Sequence, residues 1–190
     1  MNTRPLPFPL VLAILLAACG GGADAEGTAA QVQADARNIV ACDLITKADA
    51  EAILGTSLAQ PVAREVTGMA GERATSCIFT GESTLMLRVW HPYRGSETTS
   101  VALVQRVRSE RADQAAAESD AELKKLTAST AITAFDELNV PAALEDMRGG
   151  LGGVTLHIVE PGADAYFAVD AETPVLARAV AERVLAKLPR

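Results

Sequence analysis

Twice along this chain a run of alternating apolar and polar residues folds back across a short turn and is followed by a helical pattern, and few architectures satisfy that arrangement. In the first copy Thr75, Cys77 and Phe79 alternate with Ser76, Ile78 and Thr80, Gly81-Glu82-Ser83 makes the turn, and Leu85, Leu87 and Val89 alternate with Met86, Arg88 and Trp90 before His91-Pro92. In the second, Val154, Leu156 and Ile158 alternate with Thr155, His157 and Val159, Pro161-Gly162-Ala163-Asp164 makes the turn, and Tyr166 to Val169 returns. A period of two sends successive side chains to opposite faces, so each pair of runs predicts a β-hairpin with one face in a core. Ser57 to Val66 contains Pro61, which has no amide proton to give a ladder, and is placed at a sheet edge.

The helix signals sit between and after these strands. Thr46-Lys47-Ala48-Asp49 fits a capping box, and Ala48 to Leu54 closes at Gly55, a natural C-cap. Thr98 to about Leu126 predicts a helix with Val101, Val104 and Val107 on its apolar side, a break within Ala112 to Asp120, and an Asp120 and Lys124 pair one turn apart. The last helix has Thr173 as N-cap and Pro174 at its first position. Its apolar face is Leu176, Val180, Val184, Leu185 and Leu188, with Arg183 and Lys187 near its C-terminal end. Together these predict an α+β fold: an antiparallel sheet of about five strands built from two hairpins, with helices packed on one face. Residues 38–190 are expected to form this single domain, arranged as two hairpin-helix halves.

Residues 1–37 are not expected to contribute to that core. Arg4 and the apolar run Leu10 to Ala17 have the proportions of a secretory signal, and the run is far shorter than the about 20 apolar residues that span a bilayer. Leu16, Ala17, Ala18 and Cys19 follow the order of a lipobox: a branched apolar residue, two small ones, then the cysteine. The reading is a signal peptide over 1–18, a diacylglycerol on Cys19, and a flexible tether over 19–37. One buried acyl chain holds marginally and two hold stably, which makes Cys19 a membrane anchor. Ala23-Asp24-Ala25 offers the competing cut that would release a soluble chain. Gly20 stands where an aspartate would signal inner-membrane retention. The expected place is therefore the cell envelope: the outer membrane facing the periplasm in a Gram-negative host, otherwise the outer face of the plasma membrane.

Charge narrows the partners. Acidic residues outnumber basic ones, 24 to 17, and losing residues 1–18 removes only Arg4, which takes the formal charge from -7 to -8. That excludes nucleic acid as an expected partner, because phosphate neutralisation needs clustered Lys and Arg. Once Cys19 is assigned to lipid, Cys42 and Cys77 remain as an even pair in an oxidising compartment and predict a disulfide closing a loop of about 35 residues. Two other readings of the pair stand beside it. A redox-active dithiol normally has C-x-x-C spacing, and a zinc site of Cys42, Cys77, His91 and His157 has the right ligand types but no compact ligand spacing.

The stretch Cys42-Asp43-Leu44-Ile45-Thr46, the helix that follows it, Leu54-Gly55 and then Cys77 on a strand resembles a motif of uncharacterised bacterial envelope lipoproteins that carry a domain of unknown function. The likeness covers Cys42 to Cys77, with only element order shared beyond Trp90. It implies a disulfide between the two cysteines and an envelope role. It transfers no catalytic residue.

Chemistry-bearing motifs are sparse. His91 precedes a proline at a strand end and reads as a loop residue; His157 lies on the strand face opposite Val154, Leu156 and Ile158, facing solvent or packed under a helix. The run Gly149-Gly150-Leu151-Gly152-Gly153 has no following lysine and leads into a strand, so it is a loop and not a phosphate cradle. Glu137, Glu145 and Asp146 flank Pro141 in what reads as an acidic, simply solvated loop, with weak binding of a divalent ion as the alternative. Trp90, Tyr93 and Tyr166 are either core and rim residues or the lining of a ligand groove. No cofactor is expected. The preferred expectation is a membrane-tethered, non-enzymatic binding or interaction module for an envelope protein, a peptide or a small apolar ligand. The alternative is an envelope enzyme, or enzyme accessory, whose acidic and histidine residues converge only in the fold. A pocket with His91 or His157 beside a buried carboxylate would favour the enzyme, an exposed apolar patch or open sheet edge without such a pocket would favour binding, and neither would favour a purely structural envelope protein.

Overall fold

The computed structural model describes residues 39–67, 73–128, 130–147 and 152–188, all within one compact unit, Asn38–Arg190. The signal peptide, Cys19, the tether and Gly149 to Leu151 of the glycine-rich run lie outside the described residues. No described helix is long and apolar enough to cross a membrane.

Two short helices open the domain, α1 (Ala41–Leu44) and α2 (Lys47–Leu54). The Thr46 hydroxyl accepts from the Asp49 amide, the Asp49 carboxylate accepts from the Thr46 amide, and Gly55 closes α2 at φ 70°, in the left-handed region that favours glycine. Three strands follow: β1 (Val62–Thr67), β2 (Arg73–Thr80) and β3 (Thr84–His91). After α3 (Ser100–Ala117) and α4 (Ala121–Ala128) come β4 (Ala131–Ala134), β5 (Ala142–Asp146), β6 (Val154–Glu160), β7 (Ala165–Ala171) and α5 (Pro174–Leu185). Among the described residues the sheet has seven strands in the order β1-β2-β3-β7-β6-β5-β4, every neighbouring pair antiparallel.

The two expected hairpins, β2-β3 and β6-β7, form with the expected turns and meet through β3 and β7 at the middle of the sheet. The expectation of five strands is corrected by β4 and β5. Both are short and alanine-rich (AITA and AALED), and Ile132 and Thr133 are their only β-branched residues, too few to make the run by which a strand declares itself. Pro141 sits just before β5, its missing amide proton outside the ladder.

The expectation of helices on one face is corrected too. Register explains the first layer: Cys77, Leu87, Val169, Leu156 and Leu144 form one cross-strand row, and Thr75, Val89, Phe167, Ile158 and Ala142 the next. These rows are the apolar face, and α1, α2 and α5 cover it with Ala41, Leu44, Ala50, Ala177, Val180 and Val184. The opposite face carries α3, whose Leu103, Val104 and Val107 pack on Tyr93, Ile132, Ala143, Val159 and Tyr166. Val101, expected in the buried stripe, is 63% exposed. A spacing of three drifts around a helix with 3.6 residues per turn, and the inward stripe instead runs through Val104, Val107 and Arg111. The break before α4 falls at Glu118 to Asp120, and Asp120 serves not as one half of an ion pair with Lys124 but as a cap, its Oδ1 accepting from the amides of Glu122 and Leu123 at 3.0 and 2.9 Å.

Cys42 on α1 and Cys77 on β2 are disulfide-bonded, with Cα atoms 5.0 Å apart across a sequence separation of 35. The bond fixes α1 to the apolar face at a point where Ala41 also donates to Thr75 Oγ1 at 3.0 Å. At the far end of the same layer Asp49 accepts from Lys187 Nζ at 2.8 Å and lies 3.2 Å from Arg183 Nε, which ties α2 to the end of α5. Reducing the disulfide, or replacing both cysteines by alanine, is expected to lower unfolding stability by about 3.5 to 4 kcal/mol through loop-closure entropy. Urea denaturation with and without reductant measures it, and the double variant should lose its response to reductant.

Candidate functional site

The face under α3 concentrates the polar chemistry of the domain. Its cross-strand rows are Ile78, Met86, Asp170, Thr155 and Glu145, then Ser76, Arg88, Ala168, His157 and Ala143, then Trp90, Tyr166 and Val159. Alternation alone put these residues on one side. Which of them touch is decided by the pairing of β5, β6 and β7.

Four side chains from four elements make a continuous chain. Arg111 of α3 grips Glu145 of β5 with two parallel bonds, Nε to Oε1 and Nη2 to Oε2, the latter at 2.7 Å. Glu145 Oε2 lies 3.0 Å from His157 Nε2 on β6, and His157 Nδ1 lies 2.6 Å from the Tyr166 hydroxyl on β7. Glu145 is fully buried and His157 is 5% exposed. Burial works against the charge on Glu145, but the hydrogen bonds from His157 and Arg111 outweigh it and hold the carboxyl below its ordinary value of 4.5. The Arg111 guanidinium is held above its ordinary range chiefly by its bonds to Glu145. Burial pushes the Tyr166 hydroxyl well above the usual phenol range, so it keeps its proton. An ionised Glu145 can only accept, so His157 Nε2 carries a hydrogen toward it, and Nδ1 shares a hydrogen bond with the Tyr166 hydroxyl.

Aromatic rings and further arginines surround the chain. Trp90 and Tyr166 pack with centroids 4.8 Å apart, and Tyr93 stacks on Tyr166 at 5.3 Å. Arg106 lies 4.8 Å from the centroids of both Tyr93 and Tyr166, and Arg88 lies 5.7 Å from that of Trp90. Arg88 Nη2 donates to Asp170 Oδ1 at 2.8 Å, where Thr155 Oγ1 also donates at 2.6 Å. Between α3 and the sheet these side chains leave a cavity of about 200 Å³, whose walls include Arg88, Trp90, Arg106, Arg111, His157 and Tyr166. A wider hollow of about 740 Å³, shared at Arg88 and Arg111, continues toward Ile78, Met86 and Met147.

Several expected site residues fall elsewhere. Cys42 and Cys77 spend their sulfurs on each other, and His91 belongs to the strand positions of Leu87 and Val89 on the opposite face from His157. The four-residue zinc constellation is therefore not assembled, and among the described residues no group of three His, Cys, Asp or Glu is arranged for a metal. His91 is the last residue of β3, not a loop residue, and burial holds its imidazole below the ordinary range. The acidic loop around Pro141 is dispersed. Glu137 pairs with Arg178, while Glu145 and Asp146 belong to β5, with Glu145 turned into the buried chain. Arg88, Arg106 and Arg111 were missed by sequence reasoning. One signal existed: Arg111 stands seven residues after Val104 and four after Val107, on the same helical stripe.

The depressed Glu145 carboxyl sets a pH dependence. Its contribution is complete above the ordinary value of 4.5 and is lost as pH falls through the lower folded value, because the unfolded chain binds the proton first. Glu145→Gln is expected to cost about 3 kcal/mol at neutral pH by leaving Arg111 half-buried without its counter-charge, and to flatten the loss of stability below pH 4.5. Denaturation curves over an acid pH series test both; a variant as stable as the parent would show the pair to be dispensable. Comparison with known protein families, with curated proteins and with solved structures finds no match for this chain.

Proposed function

We propose that this chain is a lipid-anchored, non-enzymatic binding module of the bacterial cell envelope, with its site in the hollow between α3 and the sheet. The observation that carries the binding reading is that both ring nitrogens of His157 are spent, one on Glu145 and one on Tyr166. A general base needs a nitrogen within reach of the substrate proton, and a buried, protonated tyrosine is no nucleophile. The residues lining the smaller cavity include no serine, cysteine, threonine or lysine. What they offer is fixed guanidinium groups, ring faces and the Glu110 carboxylate, an arrangement suited to holding a ligand.

The anchor reading rests on the apolar run that ends at Cys19, and the Cys42–Cys77 bond supports an oxidising compartment. The place is the outer membrane facing the periplasm if the host is Gram-negative, otherwise the outer face of the plasma membrane. Partners are the membrane, through the acyl chains, and an envelope protein or small ligand. The resemblance of Cys42 to Cys77 to envelope lipoproteins agrees with both.

A second reading, an envelope enzyme, is favoured by one observation: His157 stands on a cavity wall beside the buried Glu145. Mass spectrometry of the protein extracted from its native membrane separates the readings. The expected result is a mature chain beginning at a diacylated Cys19, carrying a non-covalent ligand that is released chemically unchanged. An acyl-free chain beginning at Glu26 would remove the anchor, and a ligand converted on incubation with the protein would replace the binding module by the enzyme.

A further inference from the structure

We infer that the cavity between α3 and the sheet is an oxyanion site, shaped for a carboxylate or phosphate group carried by the ligand; the inference deepens the binding reading and rests on it. Size sets the first limit. At about 30 Å³ per water in the liquid, 200 Å³ holds on the order of six or seven waters, which suits one small charged group.

Charge sets the second. Arg88 reaches the cavity from β3, and Arg106 and Arg111 from α3. The carboxylates that pair with Arg88 and Arg111 do not line it: Glu145 is buried behind Arg111, and Asp170 borders the wider hollow instead. Glu110, paired with Arg106, is the one carboxylate among the lining residues. Three guanidinium groups thus line the cavity beside a single lining carboxylate, while Asp170, Glu97 and Glu145 hold them from behind.

Hydrogen-bond accounting points the same way. Gln114 spends its oxygen on Arg111 Nη1 at 2.6 Å, so its amide hydrogens are what it has left to offer. Arg106 Nη1 and Arg88 Nε are buried without a hydrogen-bond partner beside the rings of Tyr93, Tyr166 and Trp90, and Asp170 Oδ2, outside the cavity lining, is the unpartnered acceptor near them. The wall is rich in donors and poor in acceptors, and an oxyanion is the ligand group that is acceptor only. The guanidinium groups are also held in advance, Arg106 by two rings and Arg111 by Glu145, so little freedom is lost when the anion arrives.

Trp90 is the only tryptophan in the chain and lines the cavity, so its emission reports occupancy. The purified full-length protein is titrated at constant ionic strength with acetate, inorganic phosphate, glycerol phosphate, phosphatidylglycerol vesicles and, as the neutral probe, glycerol. The expected result is a saturable change with at least one oxyanion probe and none with glycerol; a response to vesicles alone would place the group on a lipid head, and a response to soluble probes on a free ligand. Arg106→Gln is expected to weaken binding about tenfold or more. Gln114→Glu keeps the oxygen that Arg111 uses and adds a negative charge at an exposed helix position, so it should weaken binding similarly with an unchanged melting temperature. Unaltered affinity in Gln114→Glu overturns the oxyanion site. Saturation by glycerol alone overturns it while leaving the binding reading in place, and silence toward every probe, with no ligand in the native protein, overturns both.

Discussion

The arrangement of this domain turns on one buried charge. Glu145 has no solvent at all, and an isolated carboxylate in that position would be costly enough to take up a proton. It remains ionised because Arg111 supplies two parallel donors from the helix and His157 a third from the neighbouring strand. Each partner is thereby fixed in turn: Arg111 holds α3 across the sheet, and His157 is held between Glu145 and Tyr166. A buried pair of this kind is weak evidence for added stability, since an apolar substitute often does as well. What it provides is position, because a half-satisfied network is worse than none and this placement of α3 satisfies it.

That placement gives the sheet two unlike faces. On the face under α1, α2 and α5 the strands contribute mostly leucine, valine, isoleucine and phenylalanine, and the cohesion is largely non-directional. On the face under α3 only Leu103, Val104 and Val107 seal an apolar seam, and directional contacts position the remainder. Small residues at Ala168 and Ala143 alternate with Arg88 and His157 along one row, which leaves room that larger side chains would have filled. The cavity is a consequence of that alternation. Its cationic lining follows from the same helix placement, since two of the three arginines ride on α3.

Much of the local structure was legible in the residues. The turn at Gly81-Glu82-Ser83, the capping box at Thr46 and Asp49, the αL cap at Gly55 and the Thr173-Pro174 helix start all carry short-range signals, and the structure has each where the residues put it. The pairing of Cys42 with Cys77 was legible by parity on the expectation that Cys19 carries lipid. The candidate site was barely legible. His157 could be put on the right face, but nothing local distinguished burial under a helix from exposure to solvent, and Glu145 read as one more solvated carboxylate in a loop.

Alternation and capping are properties of neighbours in sequence, and so the chain by itself determined two hairpins, their turns, the helix ends and which residues share a strand face. The tertiary structure alone decided that β3 lies against β7, that two alanine-rich segments become strands β4 and β5, and that α3 crosses to the face away from α5. Arg111, Glu145, His157 and Tyr166 come from four elements, and no period or spacing links them. They meet because a buried charge has to be satisfied wherever the sheet register leaves it, and that requirement exists only once the strands are paired.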